Sequence, residues 1–198
     1  MIGMAEYPDK YFELAIVDPP YGLGDRLEKG GGKLKNTPMA TLYRKSTRWD
    51  DKPNEEYFAE LFRISRNQII CGGNYFELPP TRGFVTWDKM NHMPTLSRCE
   101  YIWTSFDCPA KIYQEQSVDL NRFHPTQKPI GLYKFLLDRF AKQGDKILDT
   151  HLGSGSSRIA CYDYGFDFTG FELDADYFNA QEKRFKDHIS QTNLFKVA

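Results

Sequence analysis

Asp18-Pro19-Pro20-Tyr21 is the stretch of this chain best suited to chemistry. It follows an apolar run, Leu14 to Val17, that reads as a short buried strand stopping abruptly at the carboxylate. Two successive prolines fix φ and remove two backbone donors, so the chain must leave the sheet as a rigid, non-helical elbow. A carboxylate, carbonyls that no following ladder claims, and an aromatic ring are held together there. The place is a strand's C-terminal edge, where open α/β sheets bind ligands. Alone, the tetrapeptide reads equally well as an acidic proline turn, and its meaning depends on two segments downstream.

The first of these runs from Asp149 through Thr150-His151-Leu152-Gly153-Ser154-Gly155 to Ser156-Ser157. It is a strand end, a glycine turn and a helix start. Small residues there let a ligand approach the backbone, and the helix N-terminus offers free N–H groups. The dinucleotide fingerprint G-x-G-x-x-G fails because Arg158 holds the sixth position, which disfavours NAD. Glu172 ends the next predicted strand nineteen positions after Gly153, where an acid can hold the two hydroxyls of a ribose. Together these point to an adenosine-containing ligand without a pyrophosphate. The second segment, His124-Pro125-Thr126-Gln127-Lys128-Pro129, is another proline-bracketed elbow, set before a helix.

The elements that must position these residues alternate. A helical pattern opened by Pro53 runs to Arg66 and is followed by the short strand Gln68–Cys71. Phe84–Trp87 and Glu100–Thr104 read as strands, residues 105–123 as irregular, and Leu132 to Phe140 as a helix ended by Gly144-Asp145. Lys146–Asp149 is a strand, a helix reaches about Tyr164, and Phe166–Glu172 is the last strand. Asp174 caps a final amphipathic helix. Such alternation predicts an α/β fold, a mostly parallel, doubly wound sheet. Trp87 and Trp103 belong to the core, His92 and His188 to the surface, and His124 and His151 to hydrogen-bonding loops rather than to acid–base work.

At 198 residues the chain is expected to form one domain, 1–198, with ordinary apolar (40%) and charged (27%) content. No run approaches the roughly 18 apolar residues of a membrane span, so no membrane is expected as partner. The four cysteines form no CxxC pair, which predicts free thiols in a reducing cytoplasm and no metal. The net charge of −1 requires any nucleic-acid affinity to be local. Residues 22–48 supply a candidate: a glycine-rich loop with seven basic residues against two acidic ones, Lys33, Lys35, Arg44, Lys45 and Arg48 among them.

Taken in order, these motifs resemble the amino-methylating DNA methyltransferases of the beta group, whose catalytic D-P-P-Y strand precedes an S-adenosylmethionine loop near the C-terminus. The resemblance covers roughly residues 11–187. It implies a permuted, Rossmann-like, seven-stranded sheet and methyl transfer to the exocyclic N6 amine of a flipped-out adenine in DNA. Asp18 and the Pro19 carbonyl would grip the amine hydrogens, with Pro20 completing the elbow and Tyr21 stacking on the base. It assigns Asp18, Asp149, Leu152, Gly153, Gly155, Ser156 and Glu172 to the cofactor, and Thr126 and Lys128 to its methionyl carboxylate. The basic loop would grip phosphates, and a homodimer and a restriction–modification setting are implied. N4-cytosine methylation, protein-glutamine methylation and a non-catalytic binder are the alternatives. Three departures stand out: Thr150-His151 replaces the family's Pro-Phe, residues 1–11 offer no clear counterpart to an extra leading strand, and little space separates Phe106 from His124 for a recognition insert.

Overall fold

The computed structural model describes residues 2–24, 50–91, 97–117 and 122–196. The basic residues Lys33, Lys35, Arg44, Lys45 and Arg48, and also His92, lie outside the described residues. The chain order is α1 (Ile2–Ala5), β1 (Phe12–Val17), α2 (Glu55–Ile64), β2 (Ser65–Cys71), a 3-10 turn at Gly73–Tyr75, β3 (Phe84–Asp88) and β4 (Cys99–Thr104). It continues with β5 (Lys111–Gln114), α3 (Ile130–Phe140), β6 (Lys146–Asp149), α4 (Ser156–Tyr164), β7 (Asp167–Gly170) and α5 (Ala175–Lys196).

These form one seven-stranded sheet ordered β5-β3-β4-β2-β1-β6-β7. Every pairing is parallel except those of β4, which runs against both β2 and β3. Alternation along the central strands explains two cores. Leu14, Ile16, Ile69, Ile102 and Ile147 face α3 and α4, while Ala15, Val17, Ile70, Trp103 and Leu148 face α2. Trp87 and Trp103 are both buried, as expected.

Local rules account for the helix ends. Asn54 accepts the Tyr57 N–H at 3.1 Å and starts α2, with Glu55 and Glu56 in the first turn and Arg63 in the last. Pro129 sits at the N-cap of α3 with φ −63°, already preset for the helix that follows. Asp174 Oδ1 accepts from the Asp176 and Tyr177 N–H groups at the start of α5, the predicted cap.

Several boundaries differ from those the sequence predicts. α2 stops at Ile64, two residues short of the predicted Arg66, because β2 begins at Ser65, whose side chain turns back to the Leu61 carbonyl. α3 ends at Phe140, four residues before Gly144. Residues 105–123 are not wholly irregular: Lys111–Gln114 pair with β3 as an edge strand that only half-buries its side chains, leaving a weak apolar signal. The last strand is shorter than predicted, so Glu172 stands two residues beyond it.

The packing yields a stability test. Leu136 on α3 is fully buried, so Leu136→Ala should cost about 2–5 kcal/mol, whereas Ile112→Ala on the edge strand, 70% exposed, should stay within about 0.5 kcal/mol. Urea unfolding of both variants checks the contrast.

Candidate active site

Parallel pairing of β1 with β6, with Ala15 opposite Leu148, delivers the Asp18 elbow and the Thr150–Gly155 loop to the same sheet edge. Between them opens a cavity of about 390 Å³. Asp18, Pro19, Pro20 and Tyr21 line one end, and Leu152, Gly153 and Glu172 the other, with Thr126 and Lys128 also in the wall. Asp149, Gly155 and Ser156 do not line it. They hold the loop from behind: Ser156 Oγ donates to the Lys128 carbonyl at 2.8 Å, and Arg184 reaches the Ser154 carbonyl and Ser156 Oγ. Gly155 has φ +74°, and a side chain there would meet Gln181.

The Asp18 elbow is braced by charge. The Lys128 ammonium lies 2.5 Å from Asp18 Oδ1 and 3.0 Å from Glu100 Oε1, with only 4% of its side chain exposed. Lys128 is therefore committed to these carboxylates and is not free for a cofactor carboxylate, the role its motif implies. The Tyr21 hydroxyl lies 2.8 Å from Asp18 Oδ1 and 2.7 Å from Glu100 Oε1, able to donate to one at a time. Lys89 closes the group 2.9 Å from Glu100 Oε2. Burial alone would raise Glu100, but Lys128 and Lys89 outweigh it and hold the carboxyl at about 2. For Asp18 burial wins, aided by the Glu100 charge and opposed by Lys128, so its carboxyl lies above the ordinary value. Both contacts of Asp18 fall on Oδ1, and Oδ2 has no hydrogen-bond partner among the described residues.

Glu100 and Lys89 do not stand out in the sequence. The available signal is an acid inside an apolar strand, which burial obliges to find cationic partners. Asp50 is equally inconspicuous there; it accepts the Gly22 and Gly24 N–H groups at 3.1 and 2.7 Å and so shapes the chain leaving the elbow. Tyr21 stacks on Tyr75, centroids 4.7 Å apart, so one ring face is already covered. Gly72, at φ +65°, is required there, because a Cβ would fall 2.3 Å from the Tyr21 ring. His188 is less superficial than expected, half-buried and 2.6 Å from Asp163.

The far end of the cavity suits an adenosine sulfonium. Glu172 accepts the Gly153 N–H at 2.7 Å and the Asp174 N–H at 2.9 Å, which fixes its carboxylate before any ligand arrives. The acids Asp50, Asp51, Glu172 and Asp174 line a cavity whose one lysine among the described residues, Lys128, is already paired with Asp18, a field that favours a cation.

Beneath the loop, Asp149 accepts the His151 N–H at 2.9 Å and the Ser157 hydroxyl at 2.6 Å. Burial raises its carboxyl from 3.8 to about 7, the two hydrogen bonds pulling the other way. A raised native value favours folding fully below about pH 4, and that contribution is lost as pH rises through about 7. Asp149→Asn should therefore gain stability relative to the parent as pH rises from about 4 to about 7, then hold a constant difference. Thermal melts across that range test this, and a pH-independent difference would overturn it.

Comparison with known proteins agrees with this geometry. A family model for N6/N4 methyltransferases, described as DNA methylase, matches residues 86–183. The chain is 35% identical over 164 residues to the Type II methyltransferase M2.DpnII of Streptococcus pneumoniae, covering 83% of this chain and 55% of that protein. It is 22% identical to the Type II methyltransferase M2.MboI of Moraxella bovis, covering 92% and 83%. The fold matches M1.HpyAVI, solved as a complex with S-adenosylmethionine, at a TM-score of 0.57 with 19% identity and 92% of each chain covered. With its motif order, its seven-stranded sheet and these relatives, the chain belongs to the beta-group, S-adenosylmethionine-dependent N6/N4 DNA methyltransferases.

Proposed function

We propose that this enzyme, read as a single catalytic domain over 1–198, methylates the exocyclic N6 amine of adenine in DNA. The observation that carries the reading is Asp18 Oδ2, a carboxylate oxygen with no hydrogen-bond partner among the described residues in an otherwise satisfied cluster, on a residue that lines the cavity. An exocyclic amine has two hydrogens and a lone pair delocalised into its ring. Asp18 Oδ2 and the Pro19 carbonyl accept those hydrogens, favour a pyramidal nitrogen and oppose the positive charge that develops there. No covalent enzyme intermediate is needed.

S-adenosylmethionine supplies an activated methyl group on a sulfonium. Gly153 and Leu152 leave room for it at the loop, Glu172 receives the ribose hydroxyls, and the acidic lining receives the sulfonium. Asp149, Gly155 and Ser156 act on it through the loop they brace, and Thr126 from the wall. Lys128 holds Asp18 in place and favours its ionised form, so that the carboxylate accepts rather than donates. The base must leave the duplex to reach Asp18, at a cost of a few kcal/mol. Tyr21 offers it the ring face that Tyr75 does not cover. Asp in place of Ser before Pro-Pro-Tyr favours adenine within the resemblance, and N4-cytosine is the second reading.

Labelled methyl transfer to DNA followed by nucleoside analysis separates the two, with N6-methyldeoxyadenosine expected. Asp18→Ala should lower turnover at least about a hundredfold, the scale for removing one preorganised partner of a developing charge. It should leave cofactor affinity, measured by calorimetry, nearly unchanged. Substantial turnover by this variant would remove Asp18 from the role.

We assign the phosphate contacts to the basic loop at 22–48. Reversing Lys33, Lys35, Arg44 and Lys45 to Glu should weaken duplex binding and flatten the slope of log affinity against log salt by about 0.9 for each phosphate no longer neutralised. Fluorescence anisotropy over a salt series reads this, and an unmoved slope would show the loop to be only solvated.

A further inference from the structure

Thr150 and His151, the two loop residues that depart from the family pattern, are wired to each other and to α2. Tyr57 Oη lies 2.6 Å from Thr150 Oγ1, and Thr150 Oγ1 lies 3.0 Å from His151 Nδ1. Tyr57 is buried, burial keeps its hydroxyl protonated, and its only hydrogen-bond acceptor among the described residues is Thr150. Tyr57 therefore donates to Thr150, and the Thr150 hydroxyl hydrogen, whose one remaining acceptor among the described residues is Nδ1, goes to His151. The reverse order would leave the Tyr57 hydrogen buried without an acceptor, which buried polar groups avoid.

Burial also lowers the His151 imidazole to about 4, so the ring is neutral near neutrality. A neutral ring that accepts at Nδ1 carries its hydrogen on Nε2. That Nε2–H has no partner among the described residues, and His151 lines the cavity. His151 follows β6, the strand paired with β1, and lines the same cavity as Asp18. The methyl donor must approach Asp18, so the amino-acid end of the cofactor belongs on this stretch. Its carboxylate needs a donor there, because the lysine in the wall is taken by Asp18 and Glu100.

We propose that Tyr57 and Thr150 set the tautomer of His151 so that its Nε2–H binds the carboxylate of S-adenosylmethionine, making His151 a cofactor-positioning residue. The inference rests on the cofactor site proposed above. A phenylalanine at position 151 would fill the space and offer no donor.

Two measurements test it on the full chain. Nitrogen-15 spectra of the four histidines read the tautomer without ligand: Nε2–H is expected for His151 in the parent and a mixture of tautomers in Tyr57→Phe, whereas Nδ1–H in the parent would overturn the relay. Calorimetry then compares S-adenosylhomocysteine with methylthioadenosine, which keeps adenine and ribose but has no carboxylate. His151→Phe should weaken the first about tenfold, the scale of one hydrogen bond to a charged acceptor, and leave the second unchanged. His151→Gln, whose amide nitrogen can stand near the Nε2 position, should recover much of the loss, and His151→Asn should not. Equal loss for both ligands, or none for either, overturns the inference while leaving the cofactor site intact. Failure of the parent to bind either ligand would remove the site and the inference together.

Discussion

The site depends on one buried ammonium. Lys128 is almost wholly removed from water, and an unpaired charge there would cost several kcal/mol. Asp18 and Glu100 compensate it, the Tyr21 hydroxyl lies 3.1 Å away, and Lys89 balances the second carboxylate. Two acids and two lysines leave the cluster neutral. The arrangement couples positions 18, 89, 100 and 128, so the elbow cannot be correctly placed until three separate parts of the fold have met it.

Topology explains how they meet. Six strands run one way and present their C-terminal ends at the ligand edge. β4 runs the other way, so its beginning reaches that edge and brings Glu100 with it. A parallel strand in its place would have sent Glu100 to the opposite side of the sheet. The adjoining 3-10 turn contributes Tyr75, and the left-handed Gly72 before it lets the Tyr21 ring approach the backbone. The reversed strand and the glycine thus serve the same four-residue elbow.

Much of this was legible in the residues. Apolar strands ending at Asp18 and Asp149, the proline elbows and the glycine turn identified the sheet, its ligand edge and the order of the half-sites. What was not legible was whatever depended on long-range pairing. The direction of β4 leaves no mark on local periodicity, so Glu100 read as one more strand residue. β5 is a half-exposed edge strand and lacked the apolar run that reveals buried strands. Lys128 was placed by its motif at a ligand carboxylate, whereas the fold supplies two protein carboxylates closer to hand. Likewise Asp149, Gly155 and Ser156 occur in the motif beside residues that face the cavity, but the turn folds them behind it.

The distribution of charge adds a further constraint. A net charge of −1 conceals two opposite fields: an acid-lined cavity and a loop with a surplus of five positive charges. A sulfonium cofactor and a phosphate backbone demand opposite signs, and the function proposed above brings both to Asp18. If one uniform field covered the surface, improving the attraction for one partner would weaken it for the other. Neutralising the elbow with Lys128 and Lys89 separates the two fields. On the proposed reading, the Asp18 carboxylate then neither repels an approaching phosphate strand strongly nor holds the sulfonium too far from the amine. The same pairing explains why a buried lysine is tolerated at the centre of a site built to stabilise a cation. Its charge is spent on holding Asp18 by Oδ1, and the oxygen left over is the one the proposed reading gives to the substrate amine.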